Sequence, residues 1–155
     1  MNHLEREYRE RVSSFFEPHS ARATQALRTV FAQPYAEDVV FVDFVMFTYD
    51  RFGDHMPIFT WPTTAENTVY NDFECPLAKI STEPFDYYDE EIEDYVEIVW
   101  QLKDCAGRWL RSVWKEAGGE LFKLPCYFTD HDDLESFSFG DNAWVQNNSR
   151  LKKHS

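Results

Sequence analysis

Carboxylates are the side chains of this 155-residue chain best placed to do chemistry, and they are unevenly spread. Between Glu66 and Glu97 eleven acids stand against Lys79 alone, so most of the formal net charge of −13 falls in this one segment. Acids at a helix start complement the positive end of the macrodipole, each by about 0.3–1 kcal/mol, and a charge run commonly does no more than face water. That accounts for the first turn only. Glu93, Asp94 and Glu97 lie deeper, where dipole stabilisation has faded and carboxylates at i, i+4 spacing repel one another. Retaining them costs stability, which favours an outside use. Phe73, Phe85, Tyr87, Tyr88, Tyr95 and Trp100 interleave with the acids, and rings among carboxylates suit the capture of Arg and Lys by charge and stacking. The expected partner-binding residues are Asp89, Glu90, Glu93, Asp94, Glu97, Trp100, Asp104, Tyr87 and Tyr88, with Trp100 off the core stripe of its helix beside Glu93, Glu97 and Asp104.

A second constellation is Asp130-His131-Asp132-Asp133, with Asp54-His55 as a companion from another turn. Carboxylate oxygens and imidazole are ligands for Mg, Mn or Zn. No H-x-x-x-H or D-x-D-x-D-G spacing accompanies them, consecutive strand residues point to opposite faces, and acidic hairpin turns arise for conformational reasons alone. A turn is the expectation. The enzymatic alternative is a metal-dependent hydrolase using Asp130, His131 and Asp132 with Asp43. Ser13, Ser14, Cys105 and Cys126 lack a flanking nucleophile motif, and there is no G-x-S-x-G, phosphate loop or G-x-G-x-x-G, so no catalytic residue and no cofactor are expected. Carboxylate pairs of the glycosidase kind arise by chance among 28 acids.

Composition narrows the partners. Strong negative charge makes phosphate backbones and anionic membranes poor partners, so direct nucleic-acid binding is not expected, while basic proteins and cationic ligands fit. Cys75, Cys105 and Cys126 are odd in number and widely spaced, which indicates neither a disulfide framework nor a zinc knuckle. The opening MNHLEREYRERVSSFFEP has no apolar run of a secretion signal, and no stretch is long and apolar enough for a membrane span, so a cytoplasmic protein is expected. An apolar fraction of 43%, including 14 Phe, 8 Tyr and 5 Trp, supplies a sizeable core for one domain.

The elements that must hold these groups read as follows. Leu4, Tyr8, Val12 and Phe15 form one stripe of a helix ended by Pro18; Ser20 caps a second, with Ala23, Ala26, Leu27, Val30 and Phe31 buried, up to Gln33-Pro34. Val39 to Asp50 is apolar on both faces, as in a covered central strand, except for Asp43, which needs a buried partner or an opening in the sheet. Arg51 to His55 turns at Gly53, and His55 to Trp61 returns as an edge strand marked by Pro57. Thr63 and Glu66 match a capping box for a short helix to about Phe73, and Leu77 to Ser81 reads as a short strand. From Asp86 or Asp89 to Gly118-Gly119, Ile92, Tyr95, Val96, Val99, Leu102, Ala106, Trp109, Leu110 and Val113 recur at steps of three and four, the strongest periodicity in the chain. This is a long amphipathic helix, with Gln101, Asp104 and Arg108 on its watery side and a break allowed near Asp104 to Gly107. Leu121 to Thr129 reads as a strand interrupted by Pro125, Leu134 to Phe139 alternates with Phe137 and Phe139 inward, and Ala143-Trp144-Val145 is a last apolar trio.

The expected architecture is a single α+β domain over 1–145: a mostly antiparallel sheet with two N-terminal helices and one long amphipathic helix packed on it. Residues 146–155, QNNSRLKKHS, read as a frayed polar tail. The segment FVMFTYDRFGDHMPIFTWPTTAENT resembles the strand, turn, strand and T-E-rich entry of immunity-type domains, and in size, acidity and aromatic richness the chain resembles small bacterial toxin-immunity proteins. The resemblance covers these 25 residues and carries over no functional residue. It implies a non-enzymatic inhibitor whose acids cover the active site or nucleic-acid groove of a basic toxin. A nucleic-acid mimic that occupies a DNA-binding protein is the alternative within the same class. The partner's identity, strand order and oligomeric state are not legible.

Overall fold

The computed structural model describes residues 2–47, 58–69, 89–131 and 133–154, the last four of these by backbone only. Expectations for Gly53, Asp54-His55, Pro57, the strand at Leu77 to Ser81, Tyr87, Tyr88 and Asp132 lie outside the described residues. The fold is α+β. Helices α1 (His3–Phe16) and α2 (Ser20–Phe31) precede β1 (Val39–Met46) and β2 (Ile58–Thr64), and α3 (Ile98–Glu116) leads to β3 (Cys126–Asp130), β4 (Glu135–Ser138), β5 (Ala143–Gln146) and α4 (Asn147–His154). The strand order is β2-β1-β3-β4-β5; only β1 and β3 run parallel, so the sheet is mostly antiparallel.

One face of the sheet takes the apolar stripes of the helices. Val42, Phe44 and Met46 of β1, Cys126 and Phe128 of β3, and Phe137 and Phe139 at β4 join Tyr8, Val12 and Phe16 of α1, Leu27 and Val30 of α2, and Leu102, Ala106, Leu110 and Val113 of α3. Alternation along a strand forces the intervening residues, Phe41, Asp43 and Val45, Tyr127 and Thr129, and Ser136 and Ser138, onto the other face. These are buried as well. The chain from Val39 to Met46 is therefore covered on both sides, as its continuous apolar character requires. β2 is an edge strand, where Pro62 costs no ladder bond.

Several expectations need correction. The long helix begins at Ile98, not near Asp89; residues 90–95 form turns, and Glu97 is the N-cap with ψ 81°. Five carboxylates within eight residues, Glu90 to Glu97, make a poor helical run, and burying Val96 does not require one. Tyr95, read as part of the apolar stripe, is instead 66% exposed beside a Val96 that is 3% exposed. No break occurs near Asp104 to Gly107. The helix is continuous from Ile98 to Glu116, and Gly107 lets Phe128 pack close against it: a Cβ there would stand 3.0 Å from Cδ1 of Phe128. It ends as expected at Gly118, whose φ of 97° only glycine adopts without strain. The capping box at Thr63 is not used: Thr63 and Thr64 finish β2, the Thr63 hydroxyl donates to the Trp61 carbonyl, and Ala65-Glu66 turn the chain back to a bridge between Thr63 and Val69, closed by Asn67 N–H to the Thr64 carbonyl and Thr64 N–H to the Thr68 carbonyl. The segment from Asn147 does not fray: it is helix α4, and its Arg150 is buried.

Candidate functional site

Turns over 90–95 carry the exposed acids. Glu90, Glu91, Glu93, Asp94 and Glu97 are all exposed, and none forms an ion pair with a cation among the described residues. The segment is nonetheless pinned at several points. Val96 and Ile98 are buried, Ile92 is half-buried against the core, Asp89 pairs with Arg11 at 3.2 Å, and Asn2 Nδ2 donates to the carbonyl of Tyr95. A fixed backbone thus presents five unneutralised carboxylates with the Tyr95 ring among them.

Asp104 and Trp100, also expected on this surface, are engaged elsewhere. Asp104, placed by its helical position on the watery side, is 6% exposed. Its Oδ2 accepts from Arg9 Nη2 of α1 at 2.8 Å and from Arg108 Nε at 3.0 Å, while Oδ1 accepts from Trp144 Nε1 of β5 at 2.8 Å. Burial alone would raise its pKa, but those hydrogen bonds outweigh it and hold the carboxyl below its ordinary range. Gln101, likewise read as water-facing, is buried and accepts from Arg9 Nη1 at 2.7 Å. The physical reason is that α1 and β5 close over this side of α3, which sequence periodicity on α3 cannot reveal. Trp100 is half-buried; its ring centroid lies 5.0 Å from that of Trp144, and Lys103 Nζ sits over both rings at 5.2 and 5.7 Å. The indole is thus committed to the chain's own tryptophan and lysine.

The described members of the alternative metal constellation are not brought together. Asp43 and Asp130 lie on neighbouring parallel strands, but Asp43 is level with Tyr127 and Asp130 with Met46, so their side chains leave opposite faces of the sheet. His131 stacks on Phe47, centroids 4.2 Å apart, and Asp133 pairs with Lys103. Among the described residues no group of three His, Cys, Asp or Glu side chains could hold a metal. The thiols are equally poor nucleophiles: burial pushes Cys105 up to about 11 and Cys126 higher still.

Asp43 instead anchors a buried polar cluster on the second face of the sheet. Its Oδ2 accepts from Arg150 Nη1 of α4 at 2.8 Å, and Oδ1 accepts from the Thr129 hydroxyl at 2.7 Å. Nη1 also donates to Ser136 Oγ at 3.2 Å, and the guanidinium carbon lies 4.8 Å from the Phe41 ring centroid and 5.5 Å from that of Tyr127. Burial pushes the Asp43 carboxyl above its ordinary range, opposed by the Arg150 charge and the Thr129 hydrogen bond. The lone acid in an apolar strand signalled that a cation must come; the signal for Arg150 was a lone arginine in a segment too polar to read as packed.

No protein-family model, curated protein or solved structure matches the chain. No helix among the described residues is long and apolar enough to cross a membrane.

Proposed function

We infer that the chain is an acidic binding protein that grips a basic partner protein through the segment Asp89 to Glu97, as an immunity-type inhibitor would grip a toxin. The observation that carries this reading is the state of Glu90, Glu91, Glu93, Asp94 and Glu97: exposed, held on a pinned backbone, and unmatched by any described cation of the chain. A chain that needed carboxylates only for solubility could scatter them; clustering adds repulsion at separations within one Debye length, about 8 Å at physiological salt. The same cluster would steer a basic protein and speed its association. Tyr95 supplies a rigid, exposed ring for stacking on arginine. Asp104 and Trp100 drop out of the binding surface, since both are taken up inside the chain. The hydrolase alternative weakens with Asp43 and Asp130 on opposite faces.

Affinity capture from the native lysate tests this, using wild type, the reversal E93K/D94K/E97K and a control that reverses the exposed acids Glu10, Glu17 and Glu116. The expected outcome is a basic protein retained by wild type and the control, released by salt and lost with the first reversal. Retention by all three proteins alike would overturn the reading, and a nucleic-acid-binding protein as the captured species would select the mimic form of it.

A further inference from the structure

We propose that the recess on the second face of the sheet is an arginine-binding site: Asp43, Thr129 and Ser136, roofed by Phe41 and Tyr127, accept a guanidinium, Arg150 fills the site in cis, and an arginine of a partner protein takes its place when α4 lifts. The inference does not use the segment Asp89 to Glu97 and stands or falls separately from it.

The aromatic lining is what favours arginine over lysine, since the three polar contacts all go to the one nitrogen Nη1 while the rings of Phe41 and Tyr127 suit a flat, weakly hydrated cation. A guanidinium is a flat, weakly hydrated cation that combines in-plane hydrogen bonds with stacking of its faces, whereas an ammonium is a compact, strongly hydrated point charge. Here a carboxylate and two hydroxyls meet one guanidinium nitrogen at 2.8, 3.4 and 3.2 Å, while two aromatic rings, themselves edge-to-face at 5.3 Å, lie within stacking range of its carbon. The hydroxyls are preset without the arginine: Thr129 Oγ1 bonds Asp43 at 2.7 Å and Ser136 Oγ at 2.6 Å.

The described part of α4 is held by polar contacts. Of its residues with described side chains, Asn148 and Ser149 are exposed and Asn147 is half-buried, leaving Arg150 as the buried one. Asn147 adds polar ties, its Oδ1 to Ser136 and its Nδ2 to the Asp133 carbonyl, but no apolar side chain among these residues clamps the helix down. Eight residues rich in Asn, Ser and Lys form no stable helix alone, so the turn persists only while docked. The segment also carries Arg150, Lys152 and Lys153 on a chain of net charge −13, a basic ligand already tethered to an acidic receptor. Tethering gives Arg150 an effective concentration in the millimolar range, so a competing arginine succeeds when other contacts of its protein raise its local concentration above that.

N-acetyl-arginine methylamide is the probe, and N-acetyl-lysine methylamide the control. The full chain carrying R150A should bind the arginine probe saturably at one site, read by amide shifts of Thr129 and Ser136. Wild type should bind it about tenfold more weakly, because Arg150 competes, and D43N/R150A should not bind it. Equal binding of the arginine and lysine probes to R150A, or unchanged binding in D43N/R150A, would overturn the proposal. A measurement on wild type does not depend on R150A folding: the arginine probe should speed hydrogen exchange of the amides 147–154 and leave those of α3 unchanged. Acceleration equal to that given by the lysine probe, or none, would likewise overturn it.

Discussion

Asp43 and Asp104 sit in the interior with their charges answered, one by Arg150 and hydroxyls, the other by Arg9, Arg108 and an indole. The carboxylates from Glu90 to Glu97 sit in water with no described cation against them. The first pair fastens parts that are far apart in sequence, α4 to β1 in one case, and α1 and β5 to α3 in the other. The second group fastens nothing. Arginines thus neutralise the two acids the fold encloses, while among the described residues exposed acids without an ion pair are densest between Glu90 and Glu97, others such as Glu10, Glu17 and Glu116 being scattered. Their mutual repulsion stabilises nothing in the fold, and this is the physical ground for the binding role proposed for them.

The sharpest way to break this contrast is to strip the buried charge of its partner. Asp43→Ala leaves a guanidinium buried without its carboxylate, a change that costs about 3–5 kcal/mol when the environment cannot relax. Urea unfolding should show a loss below that ceiling but above that of Asp104→Ala, because lifting of α4 returns part of the Arg150 charge to water. Replacing both partners with apolar side chains, Asp43→Val with Arg150→Met, should recover a large part of it, since neither charge then needs compensation. A double variant as unstable as Asp43→Ala would mean that the cluster is held by packing that the substitutions disturb and not by the ion pair. Asp104→Ala should cost less, about 1–3 kcal/mol, because Arg9 and Arg108 are partly exposed and find water when the carboxylate goes.

The two buried acids also respond to pH with opposite sign. Asp104 has a folded pKa below its unfolded value of about 3.9, so its contribution is complete above that value and is lost as pH falls through the folded one. Asp43 has a folded pKa above the unfolded value, so the native state takes up its proton first, and stability from this group falls as pH rises through that window. Urea midpoints followed from neutral pH into the acid range should therefore decline less steeply for Asp104→Asn than for wild type, and more steeply for Asp43→Asn. Parallel curves for all three would show that neither carboxyl titrates differently in the folded and unfolded chain.

How far the sequence could lead differs between these same regions. The helix-facing stripes were legible because a period of 3.6 or 2 is imposed by a single large apolar surface, and Tyr8, Val12, Leu27, Val30, Leu102, Ala106, Phe137 and Phe139 fell where the period put them. Asp43 stood out for the same reason, as a break in a continuous pattern. Periodicity says nothing of what a second layer brings. Asp104 and Gln101 occupy polar positions of α3 but are roofed by α1 and β5, contacts separated by 95 and 40 residues for Asp104. Arg150 was hidden for a related reason: the sequence of α4 has no apolar stripe to announce that the helix docks. The start of α3 was misplaced because Ile92 and Val96 anchor the segment without being helical, so burial there continued the helical pattern past the helix.

The exposed acids supply the opposite limit. Reversing Glu93, Asp94 and Glu97 to Lys removes like-charge crowding and leaves no buried group unpaired, so unfolding free energy should change by no more than about 0.5 kcal/mol in either direction. Cations near the N-terminus of α3 oppose its dipole, and Glu97 as N-cap is the position where that cost is felt most; it is the same size as the repulsion relieved. A loss of 2 kcal/mol or more would show that these carboxylates are tied into the fold, and the contrast between interior and exterior acids would collapse. A near-zero change in stability together with loss of the captured basic protein separates the two roles in one variant: the segment would then be dispensable for folding and required for binding, which is the behaviour of a surface kept for a partner.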